Sequence, residues 1–188
     1  MANNELSGPV VLNKLMQYVK DTYKNLKFSY RFVLLPETIG SIAYLSKYRK
    51  ILKKNIIAGF NLTCVGDNKE YTHVLSRLGN TLADEALESA LYNIKNASQY
   101  PFLDRGSDER QYCSPGIDLP LCVFSRSKKY KEYHTSKDNF DLVTEKNLND
   151  SFKVLKNIVD AFELCLYPKT KILCEPNLGK RNLYPTIV

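Results

Sequence analysis

Apolar residues recur at helical spacing in four stretches of the chain. Val11, Leu12, Leu15, Met16 and Val19 make one stripe running to about Tyr23, and Ser7-Gly8-Pro9 reads as its start, with Ser7 available as a cap and Pro9 tolerated in the first turn. Gly40-Ser41 opens a second helix that turns Ile42, Leu45, Tyr48 and Leu52 inward and Lys47, Arg49, Lys50 and Lys53 outward. Thr81 and Asp84 resemble a capping box, after which Ala83, Leu87, Leu91 and Ile94 continue an amphipathic helix. The strongest periodicity belongs to Leu148, Phe152, Leu155, Val159, Phe162 and Leu166, which predict a long helix over 144–166 that covers a sheet.

Between these stripes lie runs with strand character. Residues 27–35 are aromatic and β-branched and stop at Pro36, so they read as a strand buried on both faces. Residues 56–65 form a second such run, closed by the turn sequence Gly66-Asp67-Asn68, and 119–124 a third, after the break at Ser114-Pro115-Gly116. The stretch 70–78 reads as either a short strand or an irregular crossover, and 172–174 as a short strand. Residues 1–6 are polar, and 176–188 read as linker. Helices alternating with strands predict an α/β layered fold with a largely parallel sheet, organised as one domain over 1–175. Three clear strands fall short of the roughly five or six of an average sheet, so strands are expected to be missing on the N-terminal side.

Composition narrows the class. With 188 residues and 44% hydrophobic content the chain suffices for a single core. The net charge of +7, from 27 Lys and Arg against 20 Asp and Glu, is dispersed along the sequence and reads as solvated faces, so no nucleic-acid partner is expected. Five cysteines, none in a C-x-x-C pair, suit reduced thiols in a cytoplasmic protein. No run approaches the ~18 apolar residues of a membrane span, and no membrane association is expected.

Chemistry has few options. Of the two histidines, His73 has no acidic neighbour in sequence and reads as structural or exposed. His134 lies between Glu132 and Asp138 on a polar loop after a buried strand, where open α/β sheets place functional groups. Glu37 stands just past the first predicted strand, a candidate ligand or general base and equally a helix N-terminal charge. Asn4 and Glu5 precede the first helix, where a cap is the plainer role. No glycine-rich phosphate loop and no Gly-x-Ser-x-Gly elbow is present. A hydrolytic metal site built from His, Glu and a further acid or amide remains.

Four segments carry a resemblance. Ala2-Asn3-Asn4-Glu5-Leu6-Ser7-Gly8-Pro9, Pro36-Glu37-Thr38-Ile39-Gly40-Ser41, the run Gly106-Ser107-Asp108-Glu109-Arg110-Gln111-Tyr112 with Pro115-Gly116-Ile117-Asp118-Leu119-Pro120, and Tyr133-His134-Thr135 resemble, in order, the motifs of the zinc aminopeptidase superfamily, which includes leucyl aminopeptidases and glutaminyl cyclases. Within it the chain is most similar to uncharacterised aminopeptidase-like proteins linked to polysaccharide biosynthesis.

The resemblance implies a three-layer α/β sandwich of phosphorylase/hydrolase type with a mostly parallel central sheet, present here in part. It also implies an upstream portion before Ala2 and a winged-helix domain after the linker. The superfamily's bridging aspartate falls at Asn4, with Glu5 the nearest carboxylate, its glutamate pair at Pro36-Glu37, and its closing histidine at His134. The aspartate of the other metal falls at Thr63. The resemblance therefore implies at most one zinc, held by His134, Glu37 and Asn4 or Glu5, with Glu37 as base or ligand. Ser107, Asp108, Tyr133 and Thr135 would line the pocket. The implied substrate is a peptide or aminoacylated small molecule with a free amino group; a non-catalytic binding module and a one-zinc cyclotransferase are the alternatives, and oligomeric state is left open.

Overall fold

Nine regular elements build the chain in the computed structural model, which describes residues 1–164 and 173–184. In order they are α1 (Ser7–Thr22), α2 (Ile39–Asn55), β1 (Gly59–Leu62), β2 (Tyr71–Val74), α3 (Leu82–Leu91), β3 (Ala97–Tyr100), α4 (Glu109–Tyr112), β4 (Leu121–Ser125) and α5 (Glu145–Leu164). The sheet runs β1-β4-β2-β3. β1 pairs parallel with β4 and β2 parallel with β3, while β2 and β4 meet antiparallel. The expected α/β architecture is present, and its mostly parallel sheet carries one antiparallel joint.

Two layers flank the sheet. Val11, Leu15 and Val19 of α1, Ala83, Leu87 and Leu91 of α3 and Val154, Leu155, Ile158 and Val159 of α5 share one core with Cys122 and Phe124 of β4. Each Val, Leu, Ile and Phe among them contributes about 1.5–3 kcal/mol on burial. Phe60 and Leu62 of β1 pack against the same core. Asn61 between them therefore faces the other way, and its Nδ2 donates to Glu109 Oε2 of α4 at 3.0 Å. α4 and α2 thus cover the opposite face, around Leu45, Leu52 and Leu119.

Several expectations are corrected. Residues 27–35 join no ladder among the described residues: the Lys27 and Phe28 N–H groups donate to Glu163 of α5 at 2.8 and 3.3 Å, Tyr30 and Phe32 rest on the core, and Leu34 is exposed. Strand propensity yields no strand without a neighbouring edge. Within the polar residues 1–6, Ala2–Leu6 forms a wide helical turn leading into α1. Ser7 lies inside the helix, where its hydroxyl donates to the Asn3 carbonyl and accepts the Val65 N–H at 2.9 Å, and it caps nothing. Ile42 and Met16 point outward.

On α5 the fully buried line is Asn147, Ser151, Val154, Leu155, Ile158, Val159 and Glu163, with Leu148, Phe152 and Phe162 at its margin. The stretch 70–78 contains β2, and Ala97–Tyr100 adds a strand that the sequence reading missed. Leu166 and Ile172 lie outside the described residues.

Candidate active site

Parallel pairing of β1 and β4 sends the loops after both strands out at the same end of the sheet. They are laced together there. Arg126 N–H donates to the Cys64 carbonyl at 2.8 Å, and Ser127 Oγ to Asp67 Oδ1 at 2.6 Å. The Ala2–Leu6 turn plugs into this end through Asn3, which is fully buried: its Nδ2 donates to Asp67 Oδ2 at 2.9 Å and its Oδ1 accepts Gly66 N–H at 2.8 Å. A Cβ on Gly66 would come within 2.8 Å of Val143, so the close approach requires glycine.

That plug presents Asn4 and Glu5. Asn4 is half-buried, its Nδ2 donating to Glu5 Oε1 at 3.0 Å and its Oδ1 accepting from Cys64 Sγ at 3.5 Å. Cys64 is buried with a left-handed backbone, φ 50°. Burial pushes its thiol up, so the neutral form is favoured. Thr63 Oγ1 also contacts this sulfur at 3.5 Å.

Glu37 sits on a strained turn. Thr38 has φ 63°, and the Asp108 carboxylate fixes it by accepting Thr38 N–H and Ser41 Oγ–H, both at 2.7 Å. Asp108 thereby holds the Glu37 turn. Exposed Glu37 lies 3.7 Å from the Arg110 guanidinium. Glu109, which the sequence reading passed over, is 1% exposed and accepts Gly106 N–H at 2.6 Å, Ser107 N–H at 3.0 Å and Asn61. A carboxylate three residues after a glycine, able to reach back to turn amides, was the available signal.

His134 also has a left-handed backbone, φ 58°, and its ring stacks on Tyr133 with centroids 3.8 Å apart. Tyr133 in turn meets Tyr130 edge-on at 5.4 Å. Burial, followed by the nearby Cys64, Glu37 and Glu5, raises the Tyr133 phenol. Thr135 turns its hydroxyl to the Glu132 carbonyl at 2.8 Å and serves the loop.

Asn4 meets the Tyr133-His134 loop through Cys64 and Tyr130, Glu5 is bonded to Asn4, and Glu37 stands on the turn before α2 beside Arg110; among the described residues these groups close into no ligand cage. Their donor types, an imidazole, two carboxylates and a weak amide oxygen, fit a zinc ion. Among the described residues, however, the His, Cys, Asp and Glu ligand atoms that lie within 4.8 Å of one another belong to His73, Asp84 and Cys122 in the core. There Asp84 already accepts Ser76 N–H at 2.7 Å, Ser76 Oγ–H at 2.5 Å, Thr81 N–H at 2.9 Å and Thr81 Oγ1–H at 2.7 Å. Burial holds the Cys122 thiol protonated. We read that trio as a packed hydrogen-bonded core.

The family model described as a domain of unknown function, DUF4910, matches residues 1–164. The chain belongs to this family. A Clostridium acetobutylicum relative described as a polysaccharide biosynthesis protein with aminopeptidase-like domain is 38% identical to the whole of this DUF4910 chain. The chain spans 43% of that relative's length. A crystal structure from the same organism, described as a peptidase, superposes with TM-score 0.86 at 36% identity over 96% of the chain and 43% of its own. A zinc aminopeptidase from Bacillus subtilis shares the fold, with TM-score 0.71 at 19% identity over 85% of this chain and 41% of that one.

Proposed function

We propose that this DUF4910 chain is part of a zinc-dependent aminopeptidase-like hydrolase acting on a substrate with a free amino terminus, a peptide or an aminoacylated small molecule. The observation that carries the reading is the meeting of the Asn4 turn with the Tyr133-His134 loop, through Cys64 and Tyr130, at the carboxyl end of β1 and β4. His134, Glu37 and Asn4 or Glu5 would hold one zinc ion. Bound there, the metal would supply a Lewis acid for a carbonyl or water oxygen.

The chain's own residues do the rest. Glu5 and Glu37 offer exposed negative charge to a substrate ammonium group, and Glu37, steadied by Arg110, is the base or a ligand. Tyr133 gives the His134 imidazole a flat support. No described helix is long and apolar enough to cross a membrane. Free thiols at Cys64, Cys113, Cys122 and Cys174 support a reducing, cytoplasmic setting as part of the same proposal.

Cys64 and Asn4 favour a second reading. An amide replaces the bridging carboxylate and already contacts a neutral thiol, which suits a binding module of the same fold. A panel of aminoacyl-arylamides separates the two. Zinc-dependent release of arylamine, abolished in Glu37→Gln, supports the hydrolase; binding without turnover supports the module; neither binding nor turnover overturns both.

A further inference from the structure

Asp138 is 4% exposed and sits where the His134 loop meets the Asn4 turn. Its Oδ1 accepts Asn3 N–H at 2.5 Å, and its Oδ2 accepts Asn4 N–H at 3.1 Å and the Tyr130 hydroxyl at 3.2 Å. Its carbonyl takes Ala2 N–H at 2.9 Å, and its own N–H donates to Thr135 at 3.1 Å. One residue therefore collects the three leading amides of the turn that continues into α1, groups left without helical partners, and ties them to the loop carrying His134.

The contacts close into a ring. From Asp138 the path runs through Asn4 to Cys64 Sγ, 3.5 Å from Asn4 Oδ1, then to Tyr130 Oη at 3.6 Å and back to Asp138. Every member is at least half-buried, so the ring is shielded from competing water.

We infer that Asp138 is a positioning residue, which locks the Asn4 turn and the His134 loop together so that two candidate ligands far apart in sequence present as one unit. The inference rests on the zinc reading above, and it gives the chain a device for holding an open site in register without a preformed cage. Outer groups of this kind typically govern metal affinity by 10–100-fold.

Asp138→Asn is the direct test, because the amide nitrogen it introduces would face one of the two backbone N–H donors. Ser7→Ala is the control, since it cuts the same turn's ties to Asn3 and Val65 without touching the His134 loop. Zinc affinity, read by chelator competition, is expected to fall about 10–100-fold in Asp138→Asn and to hold in Ser7→Ala. Unchanged affinity in Asp138→Asn, or equal loss in both variants, overturns the inference.

Amide exchange of the metal-free protein gives an independent reading. In Asp138→Asn the Asn3 and Asn4 amides should exchange faster together with residues 134–137, and exchange rising in one segment alone overturns the coupling. If the parent binds no zinc, the aminopeptidase reading fails while exchange still decides the role of Asp138. Should Asp138→Asn not fold, Tyr130→Phe opens the same ring with less damage and is expected to loosen both segments several-fold. No change there overturns the inference.

Discussion

His73 Nε2 lies 3.4 Å from Asp84 Oδ1 deep in the core, with side chains 2% and 3% exposed. Burial alone would raise the Asp84 carboxyl, but hydrogen bonds from His73, Ser76 and Thr81 outweigh it and hold the group well below the ordinary carboxylate range. A pKa depressed on folding contributes stability that is present above the unfolded value, about 3.9, and is lost as pH falls towards the folded one. Asp84→Asn should cost about 3 kcal/mol at neutral pH. Urea unfolding across a pH series should show that gap narrowing once the pH drops below about 4. A gap independent of pH would show that the charge does not matter.

Arg126 is a buried cation without an anion. Its guanidinium rests 3.7 Å from the Tyr71 ring centroid, and its Nε and Nη1 have no hydrogen-bond partner among the described residues. All 20 Asp and Glu side chains are among the described residues, and none forms an ion pair with it. Replacing an uncompensated buried charge with an apolar group of similar volume relieves desolvation. Arg126→Met is expected to raise stability by about 1 kcal/mol in denaturant titration; a clear loss would mean that the cation–π contact dominates.

β1 stands at the end of the sheet order and pairs on its β4 side alone among the described residues. A free edge is a template for further pairing. Sedimentation over a concentration series should therefore show reversible association, whereas a strict monomer at every concentration would show that the edge is blocked.

Much of this fold could be read in the sequence where a pattern acts locally. The stripes of α1, α3 and α5 needed only their own spacing, and the Thr81 and Asp84 capping box forms as its residues suggest. β3, with the sequence Ala-Ser-Gln-Tyr, has no apolar run to announce it. The 27–35 stretch has strand composition, but a ladder depends on a second chain segment that composition does not encode. Buried polar residues were the hardest: Asn3 and Asp138 look like surface groups until segments distant in sequence supply their partners. The candidate ligands were found by loop position and by resemblance, whereas their spacing is a tertiary property that no local pattern holds.

If the His134 loop belongs to a zinc site, metal analysis of the purified chain after zinc reconstitution should find about one zinc per chain. That zinc should be lost in His134→Ala because a three-donor site does not survive removal of its one imidazole. A reconstituted parent without zinc, or a His134→Ala variant that keeps the metal, would contradict the zinc reading.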